Sequence, residues 1–113
     1  MRYLLLLYGD AEAEAALATE ARRAIVAEHL AFQARLRERG VLVRGEPLAA
    51  VAFTVRLHDH DRLVAEGPRA ETMGQLGSYY VIECDGRAEA EAVAREVPES
   101  PGLVVEVSPV AEP

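Results

Sequence analysis

The first strand-like segment constrains this chain more than any other feature. Tyr3-Leu-Leu-Leu-Leu-Tyr8 is an unbroken apolar run closed by Gly9-Asp10, and its length and bounding turn residues predict a β-strand. Successive strand side chains point to opposite faces, so Tyr3, Leu5 and Leu7 on one face and Leu4, Leu6 and Tyr8 on the other predict a strand buried on both sides. Most of Tyr79 to Ile82 and of Leu103 to Val105 carry the same two-sided pattern. A chain of 113 residues holds one domain and one core, so it has little material with which to cover two sheet faces. A second copy packed sheet against sheet is the simplest cover, which predicts a homodimer.

The rest of the chain alternates helix and strand signals. Ala11 to Ala18 alternates alanine with glutamate behind Asp10, a fitting N-cap, and reads as a solvated helix face. Thr19 reads as a second cap, opening a longer helix from about Glu20 to Arg39 that stops at Gly40. Within it Ile25, His29, Phe32 and Leu36 fall inside about a 60° arc at about 100° per residue, so His29 is expected to point inward. An extended segment follows from Val41, interrupted at Gly45. Phe53–Leu57 and Arg62–Ala65 then read as a hairpin around the polar tip His58-Asp59-His60-Asp61. Residues 70–75 suit one or two helical turns, Tyr79–Cys84 a strand, Arg87–Val97 a helix supported by Arg87–Glu91 and Glu91–Arg95 pairs, and Gly102–Ser108 a last strand. This order is the ferredoxin-like β-α-β-β-α-β scheme, class α+β, with a hairpin inserted at its middle.

Composition removes several chemistries. All 12 basic residues are arginine, which excludes Schiff-base catalysis, a pyridoxal anchor and a P-loop lysine. One cysteine, Cys84, excludes an internal disulfide and a cysteine-rich zinc or iron–sulfur centre held by this chain alone. A net charge of −7 argues against nucleic acid, whose binding needs a basic face. The apolar run at the N-terminus is too short for a signal sequence or a membrane span, so the expectation is a cytoplasmic protein without membrane contact.

Met-Arg-Tyr-Leu-Leu-Leu-Leu-Tyr-Gly-Asp at the start, Ala27-Glu-His-Leu-Ala-Phe32, Gly40-Val-Leu-Val, Glu66-Gly-Pro-Arg-Ala-Glu-Thr72 and Gln75-Leu-Gly-Ser-Tyr-Tyr-Val-Ile-Glu83 together resemble the YCII-related proteins of the DGPF type. The resemblance runs in order over nearly the whole chain. It implies a ferredoxin-like fold of the dimeric α+β barrel superfamily, and a bacterial family often encoded near sigma factors of the extracytoplasmic-function type. The signature Asp-Gly-Pro-Phe stands here as Glu66-Gly67-Pro68-Arg69, and the usual Thr-Lys-Glu beyond it as Thr72-Met73-Gly74. The resemblance also implies a working histidine, matched by His29, and an aspartate after the second helix. Val97-Pro98-Glu99-Ser100 lacks that aspartate.

The acidic partner of His29 is therefore expected elsewhere, Glu66 first and Glu71 second. An imidazole titrating near neutrality beside a carboxylate suits general acid/base work, while a buried histidine with one hydrogen-bond partner is also ordinary core. Glu66-Gly67-Pro68 reads equally as a turn, with Gly67 supplying a positive φ. Arg69 suits either a bidentate clamp on an anion or a surface ion pair, and the surface pair is preferred. Tyr8 and Tyr80 either line a pocket or pack with the hydroxyl at a rim, and packing is preferred. The two histidines at the hairpin tip lack a third and fourth ligand, so no metal site is assigned there. Cys84 reads as an apolar filler. Two function classes fit: a small-molecule enzyme without metal or organic cofactor, of isomerase or lyase type, with His29 as general acid/base; and a non-catalytic ligand-binding or regulatory dimer.

Overall fold

The computed structural model describes residues 1–49, 51–69 and 74–112. Among the described residues six strands and three helices run in the order β1 (Arg2–Gly9), α1 (Ala11–Ala15), α2 (Thr19–Glu38), β2 (Leu42–Pro47), β3 (Phe53–His58), β4 (Asp61–Glu66), β5 (Gln75–Glu83), α3 (Arg87–Arg95) and β6 (Val104–Pro109). Four strands form an antiparallel sheet in the order β2-β5-β1-β6, and β3-β4 stand apart as a two-stranded hairpin. That is the ferredoxin-like arrangement with an inserted hairpin, as expected.

Local chemistry sets the element ends. Asp10 caps α1 by accepting from the Ala13 amide at 3.1 Å. The α2 helix closes in a Schellman motif: Gly40 takes φ +69°, its amide reaches the Arg37 carbonyl at 3.0 Å, and the Val41 amide reaches Leu36 at 2.9 Å. Val41 and Leu36 are both core residues, so the cap also carries an apolar contact. Thr19 is not a cap. It is the first helical residue, the cap position belongs to Ala18, and no side chain closes that end. In α3 only the Glu91–Arg95 pair forms, at 2.9 Å. Of the 70–75 segment, residues 70–73 lie outside the described residues, and Gln75 opens β5 rather than a helix.

The core fills the space between the helices and one sheet face: Tyr3, Leu5 and Leu7 of β1, Phe32 and Leu36 of α2, Tyr80 and Ile82 of β5, and Ala90 and Val93 of α3. Cys84 is buried with them, its Sγ 3.6 Å from the Gly86 carbonyl, and burial pushes its thiol pKa up. The other face does not meet the expectation of full burial, because Leu4, Leu6 and Tyr8 are only half-buried, as are Tyr79 and Val81 beside them. The chain is 18 Å thick in its thinnest direction, enough for one sheet and one helix layer, and so supplies no third layer.

The hairpin turns tightly at Asp59 and His60, both at positive φ (45° and 73°), the geometry of a two-residue type I′ turn. Every residue of β4 is exposed, and so are Phe53, Val55 and Leu57 of β3. The hairpin projects from the body, in keeping with a radius of gyration of 15.8 Å against about 13 Å for a compact chain of this size. No helix of the described residues is long and apolar enough to cross a membrane.

Candidate functional site

The helical stripe delivers its four residues where periodicity places them. Phe32 and Leu36 are fully buried, while Ile25 and His29, nearer the start of α2, are half-buried at the wall of a cavity of about 430 Å³ between α2 and the sheet. This volume lies in the range of small-molecule sites. Leu7, Ile25, Leu48 and Leu103 contribute apolar wall, and Val26 and Leu30 lie exposed at the rim.

Its polar end is built around Tyr80. The Tyr80 hydroxyl lies 2.7 Å from Nδ1 of His29, and Nε2 of Gln33 donates to the same oxygen at 3.2 Å. Gln33 follows His29 by four residues, so both point from one face of α2 toward the tyrosine. The rings of His29 and Tyr80 are nearly parallel, 8° apart with centroids at 6.1 Å, and Phe32 stands edge-on to Tyr80 at 5.5 Å. Gly45 makes room for the tyrosine, since a Cβ there would fall 2.6 Å from its Cε1.

The contacts admit either imidazole tautomer; the one in which the phenol donates to Nδ1 of His29 and the ring proton sits on Nε2 keeps the phenolic proton bonded as well. Burial lowers the His29 pKa, with the nearby Glu28 charge opposing it, so the neutral ring is favoured. Burial likewise raises the Tyr80 pKa, only partly countered by Gln33, so the phenol stays protonated. Among the described residues Nε2 has no hydrogen-bond partner and no buried side-chain nitrogen or oxygen is left unsatisfied, so Nε2 is open to solvent. In that tautomer the arrangement presents a neutral N–H donor at one end of an otherwise largely apolar cavity.

Tyr8 and Tyr80 both line this cavity. Glu66, Gly67, Pro68 and Arg69 do not: Glu66 ends the exposed strand β4, and the turn after it carries φ +96° at Gly67. Arg69 is exposed and makes no ion pair among the described residues. Glu71 lies outside the described residues. Among the described residues the hydrogen-bond partner of the imidazole is the Tyr80 phenol, not Glu66. The hairpin-tip histidines are exposed, with His58 Nε2 3.5 Å from the Asp59 carboxylate, and no group of three or more metal-ligating side chains converges among the described residues.

The acid that does line the cavity is Glu14, which the Ala/Glu alternation had put on a solvated helix face. It is half-buried, and a Cβ at Gly9 would meet its Oε1 at 2.7 Å, so the carboxylate lies directly over the glycine. The bare Gly9 just before the Asp10 cap is the one sequence signal that an α1 side chain folds back there. A second hollow of about 750 Å³ beside α3 is lined by neither histidine nor cysteine, and its Glu91 and Arg95 are paired with each other.

The fold and cavity define a small α+β protein of ferredoxin-like topology with a ligand-sized site between helix and sheet. The chain belongs to the YCII-related family, whose domain it matches over residues 1–112. It is 33% identical over 100 residues to an uncharacterized protein of Rhizobium meliloti (strain 1021), an alignment covering 86% of this chain and 80% of that protein.

Proposed function

We propose that this protein binds a small molecule in the cavity between α2 and the sheet, with His29 donating a hydrogen bond from Nε2, Tyr80 and Gln33 holding the imidazole, and Tyr8 contributing to the wall. The observation that carries this reading is the open Nε2 of a neutral histidine at the polar end of a mainly apolar cavity of about 430 Å³. A hydrogen-bond donor in such a setting discriminates among ligands, because a partner lacking an acceptor leaves the site's polar group unpaired. A thermal-shift screen of small metabolites on the wild type and on His29→Ala tests it. A compound that stabilises only the wild type supports the reading, and stabilisation of both proteins alike by every hit contradicts it.

Acid/base catalysis is the second reading, favoured by one observation: Glu14 and His29, two titratable groups, line the same cavity. We assign Glu14 rather than Glu66 to the carboxylate role. Proton transfer of isomerase or lyase type needs no metal or organic cofactor, and turnover lost in both His29→Ala and Glu14→Gln would establish it.

We propose further that the protein works as a homodimer of the α+β barrel kind, and that Glu66-Gly67-Pro68 is this chain's form of the DGPF motif. The half-buried Leu4, Leu6, Tyr79 and Val81 on the open sheet face support the dimer, since a second copy supplies the layer that one chain lacks.

A further inference from the structure

We infer that the ligand of this cavity is an organic cation, a small and mainly apolar body carrying a hydrogen-bond acceptor for His29 and a protonated amine, and that Glu14 is its counter-charge; the inference rests on the cavity being the binding site. Glu14 is the one formally charged residue among the described residues that line the cavity. The chain has 12 basic residues, yet none lines it, so nothing there neutralises an anionic ligand. The Glu14 carboxylate also has no hydrogen-bond or ion-pair partner among the described residues. Arg22 donates to the Ala15 carbonyl at 2.7 Å rather than to the Glu14 carboxylate. A half-buried carboxylate packed over Gly9 beside apolar wall is a poorly compensated charge, and a cation entering the cavity pairs with it where water is partly excluded. Carboxylate and phosphate ligands meet the opposite situation. The local charge repels them, and the net charge of −7 works in the same direction at long range. Walls such as Leu7, Ile25 and Leu103 accept the apolar body, while His29 and Tyr80 form the neutral polar end.

Three probes of equal carbon skeleton, each with a phenol oxygen to accept from Nε2 of His29, separate the possibilities: tyramine, tyrosol and 4-hydroxyphenylacetate, titrated at millimolar concentration into the wild type and Glu14→Gln and followed by NMR. The expected result is an amine about tenfold tighter than the alcohol, as a charge-assisted hydrogen bond supplies, with the carboxylate weakest and the amine's advantage abolished in Glu14→Gln. An alcohol or carboxylate that binds as tightly as the amine overturns the inference and leaves the cavity standing as the site. An amine advantage that survives Glu14→Gln overturns it in the same way. Failure of all three probes to perturb the cavity residues of the wild type overturns both the inference and the binding-site reading.

Discussion

The Tyr80 hydroxyl lies 2.7 Å from Nδ1 of His29, across 51 residues of sequence, and so determines which ring nitrogen faces the cavity. Tyr80→Phe removes that hydroxyl while leaving the ring to fill its space. Nδ1 of His29 and the Gln33 amide then lose their shared partner, and the expected cost is about 1–2 kcal/mol, read from the midpoint shift in urea unfolding. A midpoint equal to the wild type's shows that water replaces the hydroxyl without loss.

Burial holds the His29 pKa below its ordinary 6.5, so the unfolded chain binds this proton at a higher pH than the folded one does. The folded state is therefore penalised as pH falls through about 6.5, and the penalty stops growing below the depressed folded pKa. Stability difference between wild type and His29→Gln, measured by denaturation across pH 4 to 8, is expected to be flat above pH 7 and to move against the wild type as pH falls. A pH-independent difference contradicts the burial argument.

Gly45 is required by the Tyr80 ring, not by a turn. Gly45→Ala puts a methyl group into the ring edge and is expected to cost about 1–3 kcal/mol, typical of overpacking. It is also expected to weaken the response of His29 to ligands by displacing the tyrosine. A crystal structure of the variant with Tyr80 unmoved is the outcome that refutes this role.

Leu6 lies near the middle of the open sheet face, opposite Tyr79 on β5 and Glu106 on β6. The wild type is expected to sediment at twice the chain mass of 12.3 kDa at micromolar concentration, and Leu6→Glu to shift it to the single-chain mass. A wild type that sediments at 12.3 kDa removes the dimer from the account.

The hairpin tip carries a correctable strain. His60 takes φ +73°, a left-handed conformation that glycine adopts freely. His60→Gly is expected to stabilise the hairpin by about 0.5–1 kcal/mol, seen as slower amide exchange across β3 and β4. Faster exchange in the variant contradicts the turn assignment.

The sequence was most informative where its signals were local. The stripe Ile25, His29, Phe32 and Leu36, the stop at Gly40 and the hairpin around Asp59-His60 each depend on neighbours within a few residues, and each forms where expected. The histidine's partner was not legible for the opposite reason. Tyr80 sits in a strand with apolar residues on both faces, so parity does not say which side it takes, and the extra residue Gly77 in β5 shifts the register with β1. Glu66 is the carboxylate that the signature motif offers, but nothing in the chain's composition announces that β3 and β4 leave the main sheet. Glu14 was hidden by its setting, an Ala/Glu helix of one turn whose one inward side chain shows only through the glycine beneath it.

The most direct test of the central claim is the long-range proton–nitrogen NMR spectrum of the His29 ring at pH 7, with the exposed His58 and His60 as internal references. The account predicts a neutral ring protonated on Nε2, with Nε2 shifting on addition of tyramine, whose phenol oxygen can accept from it, while the two reference histidines stay in place. A charged ring, a proton on Nδ1, or an Nε2 resonance indifferent to the probe contradicts it.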